Sequence, residues 1–195
     1  DVERSRGLGD VYKRQDVATA VMDGVDCVML SAETASGSFP VESVSIMHRI
    51  LRETEEREGY FDSLQMIWQE SHTTYHAVAE SATSLARHIN AAAVVAFSAS
   101  GTTAVRLSRE RPSLPIVMMT PKQAIRQRLN FLWGMNSILT DQFDSFDEAL
   151  DGISRLMLEN KMGQPGDQVI VVAGTPFGVS GTTNTIRVLN LHKPR

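Results

Sequence analysis

The chain has 195 residues, 42% of them hydrophobic, and a formal net charge of -4, enough apolar material for one good core and a second small one. That charge supplies no basic field for nucleic acid or an acidic membrane surface, so an anionic ligand must be held locally. The single cysteine, Cys27, rules out an internal disulfide and reads as a buried thiol in a reducing compartment, with the cytoplasm as the expected location, and no apolar run nears the ~20 residues of a bilayer span or the pattern of a secretory signal.

Residues 1–15 (DVERSRGLGDVYKRQ) are polar, show neither helical nor strand periodicity, and are expected to be an artefactual or disordered lead-in with no place in a core. From Asp16, the pattern Val17, Ala18, Val21, Met22 suits a short helix ending at Gly24. The run Cys27-Val-Met-Leu30 then reads as a buried parallel strand. Ser31 to Phe39 form a loop, and Pro40 opens a helix with the apolar stripe Val41, Val44, Met47, Ile50, Leu51. One such α-β-α unit cannot close a barrel, so its strand would lack neighbours and the region should be unstable. The charge run Arg52 to Glu58 is a solvated helix end. Residues 59–75, with Tyr60, Phe61, Met66, Ile67 and Trp68, read as a connector whose aromatics pack between two domains.

Helical spacing returns at Val78, Ala82, Leu85 and Ile89, followed by a buried strand over Ala93 to Phe97. Ser100-Gly-Thr-Thr103 begins a helix. Pro112 to Pro115 break the chain before the strand Ile116 to Met119, and Thr120-Pro121 has the form of a cap and first helical residue. A short strand over Ser137 to Thr140 precedes a helix from Ser145 that buries Phe146, Ala149, Leu150, Ile153 and Leu156. Gln168 to Ala173 is a central strand, and Thr185 to Leu191 a final one. Alternating helix and strand from residue 76 onward predicts an α/β domain with a mostly parallel sheet and covering helices.

Two stretches carry chemistry. Phe97-Ser-Ala-Ser-Gly-Thr-Thr103 and Ser31-Ala-Glu-Thr-Ala-Ser-Gly37 each follow an apolar run and lead to a helix, a layout that aims backbone N–H groups and a helix dipole at an anion such as phosphate. In the first, Gly101 allows close backbone approach, while Ser98, Ser100, Thr102 and Thr103 bring hydroxyls. The same residues also suit simple helix capping, and that alternative stays open. Gly174 to Thr183 is no dinucleotide fingerprint, because its glycines are spaced G-x-x-x-G-x-x-G and a strand pattern follows. His48, His72, His76, His88 and His192 have no metal-ligand spacing and read as structural or exposed, and no metal-binding residues are assigned. Met118, Met119, Met135 and Met157 read as core filling.

Asp16 to Gly37 resembles the last strand and loop of the pyruvate kinase barrel, and the rest resembles that enzyme's C-terminal domain in order and spacing. Matching pieces include Ser108-Arg-Glu-Arg-Pro112, Ile116 to Pro121, Trp133-Gly134 and Gly181-Thr-Thr-Asn-Thr185. The resemblance implies the end of a TIM (β/α)8 barrel over 16–58, then an effector-binding and oligomerisation domain of three α/β layers over 76–195. Ser98, Ser100, Gly101, Thr102 and Thr103 resemble the site for the phosphate of an allosteric sugar phosphate or nucleotide. Gly178, Ser180, Gly181 and Thr182 belong to a loop that would cover the effector from the other side. Relatives that bind fructose 1,6-bisphosphate place a basic residue in that loop, but none lies between Thr175 and Thr185 here, which favours a monophosphate or no effector. Ser31, Glu33 and Thr34 resemble the loop bordering the nucleotide site, with Ala32 in place of a glycine and Ser36 in place of a lysine.

For the whole enzyme the resemblance implies phosphoryl transfer from phosphoenolpyruvate to ADP in glycolysis, with Mg2+ or Mn2+ and a K+ ion, in a homotetramer. The catalytic lysine, metal carboxylates and lid would precede Asp16, so no catalytic residue is assigned here and this chain alone is expected to be inactive. The alternatives are a free-standing module that binds a phosphometabolite and a structural domain that only supplies a subunit interface.

Overall fold

A computed structural model describes residues 14–67, 73–143, 145–175 and 182–192. The chain divides into two compact units, 1–69 and 70–195. In the first, the described elements are all helical: α1 (14–22), α2 (Ala32–Ala35), α3 (Pro40–Glu55) and α4 (Tyr60–Ile67). Proline at the first position pre-sets the backbone of α3, and a pair between Arg52 and Glu56 closes its last turn. A small core joins Val21, Tyr60 and Leu64, flanked by Leu51 and Phe61, and the Tyr60 hydroxyl donates to the Val21 carbonyl at 3.4 Å.

Three expectations fail in this unit. Cys27 to Leu30 form no strand, and Cys27 is exposed rather than buried. An apolar run becomes a strand only when a neighbouring strand takes up its backbone N–H and C=O groups, and no ladder to it is formed among the described residues. Of the aromatics expected to pack between two domains, Tyr60, on α4, packs instead inside this unit's own core. Several large apolar side chains of the same region are exposed, including Met29 (85%), Val41 (72%) and Phe39 (68%), so the α3 stripe is only partly covered.

The second unit holds α5 (Thr74–His88), β1 (Ala93–Phe97), α6 (Thr102–Arg109), β2 (Ile116–Thr120), α7 (Gln123–Leu129), β3 (Met135–Leu139), α8 (Phe146–Glu159), β4 (Gln168–Gly174) and β5 (Thr183–Asn190). The sheet order is β3-β2-β1-β4-β5, with β1 parallel to β2 and β4, β2 parallel to β3, and β5 antiparallel to β4. Alternation within each strand splits the core into two faces. Val94, Ala96, Ile116, Met118, Ile170 and Val172 pack with Ala79, Ala82, Ala86, Ala104, Leu107 and Leu129 of α5, α6 and α7. Val95, Val117, Met119, Val169 and Val171 pack with Leu150, Ile153 and Met157 of α8. The result is the expected three-layer α/β fold. Thr120-Pro121 does not start a helix: Thr120 is buried in β2, its hydroxyl accepts from the Lys122 N–H at 3.4 Å, and α7 begins at Gln123. The strands expected at 137–140 and 185–191 begin earlier, at Met135 and Thr183.

Candidate functional site

The strand order contains one reversal. The chain runs outward from β1 through β2 to β3, then returns through α8 to β4 on the other flank of β1. The chain therefore leaves β1 toward β2 and β4 toward β5, on opposite flanks, and a strand-order reversal of this kind is where open α/β sheets commonly hold ligands. Residues 98–101 leave β1, and the segment between Gly174 and Thr183 leaves β4.

Ser98 organises the first loop. Its hydroxyl accepts from the N–H of Gly101 at 3.0 Å and of Ser100 at 3.4 Å. The Ser100 and Thr102 hydroxyls share a hydrogen bond of 2.6 Å. Gly101 has φ +81°, and a Cβ there would lie 3.0 Å from Leu129 Cδ2 and 3.3 Å from Ile125 Cγ2, so both conformation and space call for glycine. It stands immediately before α6, whose first amides lack intrahelical acceptors. Thr103 is buried and its hydroxyl shares a 2.8 Å hydrogen bond with that of Thr183, tying the start of α6 to the start of β5.

Beyond Gly174, the Thr175 N–H and hydroxyl reach Asn184 Oδ1 at 2.8 and 2.9 Å, and Asn184 Nδ2 donates to the Thr175 carbonyl at 2.8 Å. This clip closes the neck of the β4–β5 connection. A Cβ on Gly174 would meet Thr182 Oγ1 at 2.4 Å and its backbone carbon and oxygen at 2.9 Å, which explains a glycine there. Of the four residues expected in the covering loop, Thr182 is thus beside Gly174, whereas Gly178, Ser180 and Gly181 lie outside the described residues.

Two arginines join this edge, and neither stood out in the sequence because each is distant from what it touches. Arg128 Nη2 donates to the Ser100 carbonyl at 3.4 Å. Arg106 Nη1 donates to Thr183 Oγ1 at 3.4 Å, with its Cζ 4.4 Å from the centre of the Tyr75 ring. Partial burial and the nearby Arg109 and Arg106 charges push the His76 imidazole below its ordinary value. Burial first, then Glu80, pushes the Glu110 carboxyl up, against a smaller opposing pull from Arg109.

Ser31, Glu33 and Thr34 are brought together, but with one another. The Ser31 N–H donates to Glu33 Oε2 at 3.1 Å and the Thr34 hydroxyl to the Ser31 carbonyl at 3.2 Å, all exposed around the four-residue α2. The Cys27 thiol is pushed up by what burial it has and by Asp26, which disfavours the thiolate. His192 Nε2 lies 3.4 Å from Asp151 Oδ1, and His72 falls outside the described residues. Among the described residues no group of three or more His, Cys, Asp or Glu could hold a metal ion, and no helix is long and apolar enough to cross a membrane.

The family model for the pyruvate kinase alpha/beta domain matches residues 76–189, and that for the pyruvate kinase barrel domain matches residues 12–44. Two pyruvate kinases of Agrobacterium vitis are 43% and 41% identical over 174 and 177 residues, or 89% and 90% of this chain. One from Methylorubrum extorquens is 37% identical over 174 residues. A crystal structure of a pyruvate kinase from Cryptosporidium parvum superimposes with a TM-score of 0.80 at 28% identity, covering 92% of this chain and 36% of that one. The chain spans about 37% of the length of the Agrobacterium relatives. With the alpha/beta domain model matched across more than half its residues, on the fold and strand order described above, the chain belongs to the pyruvate kinase family.

Proposed function

We propose that this chain is the effector-sensing C-terminal part of a pyruvate kinase, joined to a terminal piece of the barrel, and that the whole enzyme transfers a phosphoryl group from phosphoenolpyruvate to ADP in cytoplasmic glycolysis. The observation that carries the effector reading is the Ser98–Thr103 loop standing at the β1/β4 reversal. A phosphate there would take hydrogen bonds from the first amides of α6 and from the Ser98, Ser100 and Thr102 hydroxyls. Arg128, beside Ser100, adds a positive charge. Thr182 and the segment before it would cover the ligand, and the Thr103–Thr183 bond would couple occupancy to the start of β5.

No phosphoryl-transfer residue is assigned to this chain, so the purified 195 residues should not turn over. Pyruvate formation in a coupled assay would overturn that. Mg2+ or Mn2+ and K+ belong to the whole enzyme of the proposal. A homotetramer is the proposed assembly.

Calorimetric titration with AMP, ribose 5-phosphate and glucose 6-phosphate tests the effector reading. Saturable binding of at least one, lost in the double variant Ser100→Ala, Gly101→Asp, is the expected result. A folded chain that binds none refutes it and favours a domain that supplies only a subunit interface. Binding without any activation of a full-length relative carrying this domain would favour a passive binding module.

A further inference from the structure

We propose that the outer edge of β3, with the basic helix α7 beside it, is a docking site for an extended acidic segment of a partner protein, which adds to the sheet as a strand while Arg126 takes one of its carboxylates. Charge singles out this region. From Arg111 to Thr140 the chain carries Arg111, Lys122, Arg126 and Arg128 and no acidic residue, in a sequence whose net charge is -4. Arg111 is buried against Trp133, with its Cζ 5.1 Å from the ring centre, and Arg128 turns toward the Ser100 carbonyl. Lys122 and Arg126 remain, one turn apart on the same side of α7, and the Arg126 guanidinium reaches Ser137, so this side of the helix looks onto β3.

The backbone supplies the second half of the site. β3 ends the sheet, and among the described residues no strand pairs with its outer side. The Ile116 N–H donates to the Gly134 carbonyl and the Thr140 N–H to the Thr120 carbonyl, so the even-numbered residues of β3 turn their backbone groups to β2, and Met135, Ser137 and Leu139 turn theirs outward. The Met135 N–H is taken by the Leu132 carbonyl at 3.4 Å and the Ser137 carbonyl by Arg126 Nε at 3.3 Å. The Ser137 N–H and both backbone groups of Leu139 are left for a neighbour, with the Leu139 side chain exposed beside them. Alternating donors and acceptors of this kind are completed by another strand rather than by a nucleic acid. Arg126 makes the edge selective. Its long bond to the Ser137 carbonyl shields the edge, while the Ser137 hydroxyl donates to the Arg126 carbonyl at 2.9 Å and holds α7 in place. A carboxylate on the incoming strand would draw the guanidinium into a shorter, charge-assisted bond and release the Ser137 carbonyl to accept from the new strand. A neutral strand offers no such exchange, and a basic one is repelled by Lys122 and Arg126.

Three fluorescein-labelled peptides of alternating threonine and a second residue, that residue being glutamate, glutamine or lysine, test the site by anisotropy on the 195-residue chain. The glutamate peptide should bind about tenfold or more tightly than the glutamine peptide, the range of one charge-assisted hydrogen bond, and the lysine peptide weakest. In its complex the Ser137 and Leu139 amides should exchange more slowly with solvent, as strand addition requires. In Arg126→Gln the preference for glutamate should fall to within about twofold, and Arg126→Lys should keep part of it. Equal affinities for the glutamate and glutamine peptides, binding that leaves the Ser137 and Leu139 amides unprotected, or no binding by a chain with native circular dichroism would each overturn the proposal. Displacement of the glutamate peptide by single-stranded oligothymidylate at equal concentration would also overturn it, by showing a surface for any polyanion. The peptide comparison and the exchange measurement need no variant, so they decide the matter even if Arg126→Gln fails to fold.

Discussion

Gly101 combines two constraints, and substituting it by alanine separates them. At φ +81° an alanine would pay about 1–2 kcal/mol for the left-handed conformation, offset by about 0.4–1 kcal/mol from a less flexible unfolded chain. Its Cβ would also press on Leu129 Cδ2 at 3.0 Å and Ile125 Cγ2 at 3.3 Å. These are side-chain ends that can yield, but Leu129 is buried and well packed, so about 1 kcal/mol of crowding is a fair lower-range figure. The net loss is about 2 kcal/mol. Gly166 is the control: it has φ +97° and nothing within 4 Å of a Cβ, so its alanine variant carries the conformational part alone, about 1 kcal/mol. Hydrogen exchange of the slowest β1 and β4 amides reports on this unit without relying on a two-state transition of the whole chain. Protection should fall about 30-fold in Gly101→Ala and about fivefold in Gly166→Ala. Equal losses would show that Leu129 and Ile125 give way freely, and the claim that the loop is sterically set against α7 would be wrong.

Glu110 and His76 make opposite demands on pH. The raised Glu110 carboxyl is protonated in the folded chain at a pH where the unfolded chain has already ionised, so it lowers stability as pH rises above the ordinary 4.5. Glu110→Gln should therefore raise the melting temperature at pH 7 and leave it unchanged near pH 4. The depressed His76 takes up its proton later than the unfolded chain does, so stability should drop as pH falls below the ordinary 6.5. His76→Gln should flatten that slope in a pH series of thermal melts. Asn184→Ala removes the exposed clip to Thr175 and should cost about 1 kcal/mol. Its sharper signature is faster exchange of the Thr175 amide with the β1 amides unaffected, and uniform loss of protection across the sheet would contradict a local clip.

Where a physical signal is local, the sequence expectation and the structure agree. Ala93 to Phe97 is an apolar run between two helical stripes, and it is β1 to the residue. Ser145 before an apolar helix is a cap, with its hydroxyl accepting from the Glu148 N–H. Where the signal depends on a distant partner, they part. Cys27 to Leu30 has the composition of a buried strand but no ladder to join, because periodicity reports what a segment would bury and says nothing about whether a neighbour exists. Arg106 and Thr183 are 77 residues apart, and Arg128 and Ser100 are 28 apart, so their convergence exists only once the sheet is assembled.

The reading of the 98–103 loop depends on both kinds of signal. Taken alone, hydroxyls and a glycine before a helix are what capping requires, and capping is indeed part of what Ser98 does toward the Gly101 amide. Capping does not account for where the loop stands. The loop lies at the carboxyl end of β1, whose connection leaves toward β2 while that of its parallel neighbour β4 leaves toward β5 on the opposite flank. Nor does capping call for a guanidinium held over Tyr75 beside the same turn, with no carboxylate partner among the described residues.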